Sequence, residues 1–192
     1  MKIEARVLIN RHTGETLALR RVKRGGEVWL EMNGTMPPRQ DGPPMHVHHA
    51  EIETATVTSG TLSAIVDGRK IVARTGEAAT FPAGSVHRWW NESDEPLVFG
   101  GFAKPVVDLD RYLQAAFEAL NAGTKERPPL FYIAHIAWRH RKTQGLRIGP
   151  AWVAAIVVPA IVAIGTVLGK YRGTDWPGSP ARCSDAPYCG GS

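Results

Sequence analysis

The chain is 192 residues long, 43% hydrophobic and 21% charged, with a formal net charge of +5. That length holds one domain with its own core plus appendages and excludes two ordinary domains, and the composition excludes wholesale disorder. The positive charge raises two partners, a nucleic acid and an anionic membrane, and the placement of the basic residues separates them.

The opening "MKIEARVLINRHTGE" breaks its apolar stretch with charge before a secretory h-region can form, so the N-terminal domain is expected on the cytoplasmic side. From Ala5 to Ala103 the chain reads as short β-rich runs: "ARVLIN", "ETLALRRV", "EVWLEMNG", "IETATVTSG", "TLSAIVDG", "RKIVAR", "AATFPAG", "VHRWWNE" and "LVFGGFA". Glycine, proline and Asp-Gly punctuate them at regular intervals, which predicts an all-β antiparallel sandwich or barrel. The clearest hairpin is "AIVDGRKIV", where Asp67-Gly68 suits a tight turn with positive φ. The basic cluster Arg20, Arg21, Lys23 and Arg24 lies between two of these runs with no nucleic-acid motif beside it, so it reads as a solvated edge and no nucleic-acid partner is expected.

The chemistry concentrates in "MHVHHAEIE", residues 45–53. Alternate residues of a strand share a face, so His46 and His48 point into a barrel together while Val47 turns away. Glu53 opens the next run, and His87 arrives on its own strand after the turn "PAG". Three imidazoles and a carboxylate inside a barrel suit one divalent transition metal with open positions, and iron, manganese, nickel, copper and zinc all fit such a set. Glu51 shares the side of Glu53 by alternation; it reads as a solvated rim carboxylate, with a supporting acid–base role as the alternative. His49 faces away from His48 and is left outside the site. Trp89 shares the inward parity of His87 and is expected to wall a pocket, while Trp90 takes the opposite face and is expected under a helix. Val57 and Leu62, with Ala55, Ala64 and Val66, are expected to line a mostly apolar cavity for a small aromatic or carbonyl compound.

These residues carry a resemblance to the cupins. His46, His48, Glu53 and Gly60 follow the spacing of the first cupin motif, and Gly76, Pro82, Gly84, His87 and Asn91 follow the second. The leading glycine departs: the pattern places it at Gln40, and the chain has Gly42. The stretch from about 5 to 103 resembles a small single-domain, type-2 cupin. The resemblance implies a jelly-roll barrel over residues 1–105, commonly a homodimer, with metal held by His46, His48, Glu53 and His87. It also implies a metal-dependent oxidoreductase, dioxygenase-like, acting on a small organic molecule. The alternative is a non-catalytic, membrane-anchored module that binds or senses a small ligand or metal.

Beyond the barrel the period changes. In "PVVDLDRYLQAAFEALNAG" the residues Leu109, Leu113, Phe117 and Leu120 recur at helical spacing, with Asp108 as N-cap and Gly123 as stop. An amphipathic helix within 106–124, packed on the barrel or on a second copy, is expected. Residues 125–147 read as a short apolar segment, "LFYIAHIAW", and a basic linker; roughly nine apolar residues are too few to span a bilayer, and His135 among them reads as a packed residue. The run 148–170 carries about 22 uncharged residues, enough for a transmembrane helix, with Trp152 and Tyr171 at the two interfaces and Pro159 tolerated in lipid. Arg139, Arg141, Lys142 and Arg147 before it favour a single-pass membrane protein with the barrel cytoplasmic. A helical hairpin buried in a dimer is the alternative. The tail 171–192 is rich in proline, glycine and serine and reads as irregular, with Cys183 and Cys189 either a small disulfide loop or two thiols.

Overall fold

The computed structural model describes residues 5–123, 129–147, 149 and 151–171. Two antiparallel sheets face each other. The first has six strands in the order β1-β2-β3-β10-β5-β8: Arg6–Ile9, Thr16–Arg24, Glu27–Met36, Leu97–Lys104, Ile52–Ser59 and Ala78–Phe81. The second has five in the order β11-β4-β9-β6-β7: Gln144–Leu146, His46–His48, His87–Trp90, Thr61–Val66 and Arg69–Arg74. Strand alternation builds the core between them: Leu17 and Leu19 from β2, Leu30, Met32 and Met36 from β3, and Ala55 and Val57 from β5 meet Leu62, Ala64 and Trp89 of the opposite sheet. Asp67 and Gly68 both have positive φ, +47° and +80°, as the expected hairpin turn requires.

The basic cluster on β2 is largely paired: Arg20 and Arg24 both reach Glu31, and Arg21 grips Asp110 with two hydrogen bonds, of 2.7 and 2.8 Å. That last pair ties the barrel to α1, Leu109–Ala122. Leu109 and Phe117 of α1 enter the barrel's core, and the far end of the helix holds the β1–β2 turn. There the Arg11 amide donates to Asn121 Oδ1 at 2.8 Å, and Asn121 Nδ2 donates to the Ile9 carbonyl at 2.7 Å. Gly123 ends the helix as expected. Asp108 occupies the N-cap position but makes no side-chain cap bond, because its carboxylate is drawn instead to His140 and Gln144.

The C-terminal part departs most from expectation. The apolar segment forms α2, Leu130–Arg139, and the basic linker supplies β11. The apolar run forms α3, Ala151–Val167, of 17 residues, roughly 25 Å at the α-helical rise against a hydrocarbon core of about 30 Å. Among the described residues no helix is long and apolar enough to cross a membrane, which corrects the transmembrane expectation for 148–170. The local reason is a turn at Gly169, φ +66°, where the Lys170 amide donates back to the Gly165 carbonyl at 2.9 Å. The turn brings Tyr171 onto α2, where its hydroxyl donates to the Phe131 carbonyl at 3.2 Å and its ring meets that of His135 at 4.7 Å. Helices α2 and α3 therefore pack as a pair. The tail with Cys183 and Cys189 lies outside the described residues.

Candidate metal centre

β4 and β9 run side by side with His46 directly opposite His87, and β5 faces them from the other sheet with Glu53. The three histidines therefore come from one sheet and the carboxylate from the other. One ligand atom from each of His46, His48, Glu53 and His87 lies within 4.8 Å of every other, and all four residues are buried. The imidazole rings sit 4.3 to 5.1 Å apart.

The ring nitrogens show why the set suits a cation. His46 Nδ1 lies 2.8 Å from the Pro44 carbonyl and His87 Nδ1 lies 3.0 Å from the Ser85 carbonyl, while His48 Nδ1 bonds to Gln144 Oε1. Each acceptor takes the Nδ1 proton; at His46 and His87 this leaves Nε2 as a free lone pair, the arrangement that orients metal-ligating imidazoles, while His48 Nε2 faces Glu53. His87 Nε2 is buried and has no hydrogen-bond partner among the described residues, a vacancy in bonding that a metal would fill. Burial, then the neighbouring His48 and His87, pushes His46 down to about 4, and burial chiefly pushes His87 down, so both rings are neutral ligands at neutral pH. Burial opposes charge on both members of the third pair, but the contact between His48 Nε2 and Glu53 Oε2, 3.2 Å, outweighs it; His48 is held up and Glu53 down. The residues fit a divalent metal.

Behind the ligands lies a polar network that the sequence did not announce. Gln144 of β11 stands opposite His48 of β4 in register, so both side chains share a face. Its Nε2 donates to Glu51 Oε1 at 3.2 Å and to Asp108 Oδ1 at 3.3 Å, and His140 Nδ1 donates to Asp108 Oδ2 at 2.6 Å. Glu51, expected at a solvated rim, is 0% exposed and accepts from the glutamine that holds His48. Gln144 and His140 gave no signal in a three-residue strand and a basic linker without period.

The cavity that reaches His46, His48 and Glu53 has a volume of about 700 Å³. Trp89 walls it, edge-on to Phe99 at 5.1 Å, and Met32, Leu113 and Phe117 continue the apolar lining. Val57 and Leu62 are buried in the core and lie outside that lining, as do Ala55, Ala64 and Val66. Trp90 lies under Arg88 and Lys70 on the outer face, not under a helix, and His49 is exposed. Gly42 stands at the mouth with φ +64°, where a Cβ would lie 2.0 Å from the Trp89 carbonyl oxygen, so the displaced glycine of the first motif is sterically required here. Asn91 of the second motif is structural: its amide donates to the Pro37 and Glu95 carbonyls at 3.0 and 2.8 Å and closes the loop after β3.

Fold and site together define a jelly-roll sandwich with a buried three-histidine, one-carboxylate centre. Residues 32–103 match the family model described as Cupin domain, so the barrel carries a cupin domain over that stretch. A curated relative, the oxidoreductase iacF of Pestalotiopsis fici, is 35% identical over 85 residues, covering 43% of this chain and 42% of its own length. The chain thus spans less than half of that relative. Among solved structures, a sugar phosphate isomerase of the cupin superfamily from Silicibacter pomeroyi is 22% identical with a TM-score of 0.41, covering 55% of this chain and 73% of that one. A predicted oxalate decarboxylase from Thermotoga maritima is 16% identical with a TM-score of 0.39, covering 53% and 92%.

Proposed function

We propose that the protein is a metal-dependent oxidoreductase, dioxygenase-like, that acts on a small organic molecule held in the cavity above His46, His48, Glu53 and His87. The observation that carries this reading is the convergence of three imidazoles and one carboxylate at a cavity with a largely apolar wall. The likeness to an oxidoreductase over 85 residues supports it. A reduced transition metal bound there would supply Lewis acidity and electrons for dioxygen chemistry. The chain's own residues do the rest. Pro44, Ser85 and Gln144 hold the Nδ1 protons, Trp89 and Phe99 exclude water from one wall, and Glu53 brings the charge that lets a dication sit in a buried place. A membrane surface is the proposed place of action, because α3 carries large apolar side chains outward.

The test is metal analysis of the full chain followed by oxygen-electrode assays of anaerobically reconstituted iron and manganese forms against small phenolics and diketones. About one divalent ion per chain and metal-dependent oxygen uptake are expected. Metal retained after His46, His48 and His87 are replaced together would refute the site. Absence of turnover with every metal, with a ligand-induced rise in Tm, would assign the chain to the binding-module alternative.

A further inference from the structure

The cavity holds a second polar feature that the metal centre does not use. Glu15 closes the β1–β2 turn and lines the same space as His46, His48 and Glu53. The turn is built without its side chain: the Gly14 amide donates to the Asn10 carbonyl at 2.8 Å, the Asn10 amide to the Glu15 carbonyl at 2.9 Å, and the Glu15 amide to Thr13 Oγ1 at 3.2 Å. The Glu15 carboxyl makes no hydrogen bond or ion pair among the described residues. The same cavity is lined by Asn10 and Thr13 of that turn and by Leu17, Leu113 and Phe117, with Tyr112 from α1. The Tyr112 hydroxyl is also without a hydrogen bond among the described residues. Burial pushes Glu15 up to about 7, and Arg39, which lines the same cavity, is committed to Asp94 by two hydrogen bonds. The carboxyl is half-buried at the edge of the cavity, serves no part of the turn and has no protein partner competing for it among the described residues. It is satisfied when something else enters.

We propose that Glu15, assisted by Tyr112, is a second recognition point of the cavity, and that it takes a hydrogen-bond donor on a substrate whose other end reaches the metal. The substrate class is then a largely apolar molecule with an oxygen chelating group at one end and a hydroxyl or protonated amine at the other. Neither a second carboxylate nor a phosphate fits that point, because Glu15 would repel it and no free cation stands beside it in the lining described. The inference rests on the metal-centre reading above, and its test separates the two.

The probes are straight-chain hydroxamic acids of graded length that end in methyl, hydroxyl or ammonium, titrated by calorimetry into the zinc-loaded full chain. At the best length, the hydroxyl- or ammonium-ended probe is expected to bind about tenfold more tightly than the methyl-ended one. Glu15→Leu abolishes that preference; Glu15→Gln keeps it for hydroxyl and loses it for ammonium. Hydroxamates that bind through the metal but with equal affinity for all three ends overturn the role of Glu15 and leave the metal centre standing, as does a preference that survives Glu15→Leu. Hydroxamates that bind equally well with and without zinc overturn the metal-centre reading, and this inference with it.

Discussion

At the scale of single residues, Glu15 and Gln144 each make a measurable claim. The Glu15 carboxyl is raised from 4.5 to about 7 by burial, so the fold favours its neutral form. The stability this contributes is complete below pH 4.5 and is lost as pH rises through about 7. Between pH 5 and pH 8 the wild type should lose about 2 kcal/mol more of unfolding free energy than Glu15→Gln, whose side chain is neutral throughout. Urea unfolding at the two pH values checks this, and parallel losses would show the carboxyl to be solvated. Gln144 acts through His48, whose Nδ1 it holds while its own amide binds Glu51 and Asp108. Gln144→Leu leaves the imidazole without its acceptor, and affinity for zinc or nickel should fall by about 10- to 100-fold in chelator competition with unchanged far-ultraviolet circular dichroism. Undiminished affinity would show that the Pro44 and Ser85 bonds to the other two histidines suffice.

At the scale of elements, what was legible depended on period and length. Strands of four residues or more announced themselves through alternation and turn chemistry, and α1 through Leu109, Leu113, Phe117 and Leu120 at helical spacing. The convergence of His46, His48, Glu53 and His87 was legible because the cupin motifs fix their separation. β11 was not, since Gln144-Gly145-Leu146 is too short to show a period and its partner strand lies almost a hundred residues earlier. Asp108 was legible as a helix start but not as the acceptor for His140, because nothing local records which distant side chain competes for a cap. Glu51 misled for the same reason: alternation gives a side, while burial depends on β11 closing over it. The sheet itself offers a test at β10, which runs between β3 and β5 with Gly100 and Gly101 at its centre. A Cβ on Gly101 would lie 1.9 Å from the Thr54 carbonyl oxygen, a backbone atom that cannot turn aside, whereas one on Gly100 would meet Asn33 Oδ1 at 2.8 Å, the end of a side chain that can. Gly101→Ala should therefore cost at least ~3 kcal/mol in urea unfolding and Gly100→Ala under about 1 kcal/mol. Equal costs would mean that β10 and β5 separate more readily than the close approach implies.

At the scale of the whole molecule, the distribution of apolar surface is uneven. The barrel exposes Val7, Ile9, Val28, Ile52 and Val72 on four separate strands, whereas α3 presents Trp152, Ile156, Val157, Ile164 and Val167 outward along one helix, followed by Leu168, with Val167 85% exposed. A helix that is apolar all round asks for an apolar surrounding on every side, which a single facing protein surface does not supply and lipid does. Seventeen residues reach about 25 Å and cannot bridge both interfaces, and the turn at Gly169 returns the chain toward α2. Arg139 at the end of α2, Arg141 and Lys142 just after it, and Lys170 beyond α3 are exposed and favour anionic headgroups. The expected arrangement is a helix pair seated in one leaflet, with both ends of α3 on the side of the barrel. In a chain with Cys183 and Cys189 replaced by serine, single cysteines at Gly149 and Lys170 should both react with a membrane-impermeant maleimide added outside vesicles that carry the barrel outward. Protection of Lys170→Cys until detergent is added would place the two ends on opposite sides and refute the one-leaflet arrangement. A chain that fails to float with anionic vesicles would remove lipid as the partner and direct the α3 surface to a second copy of the chain.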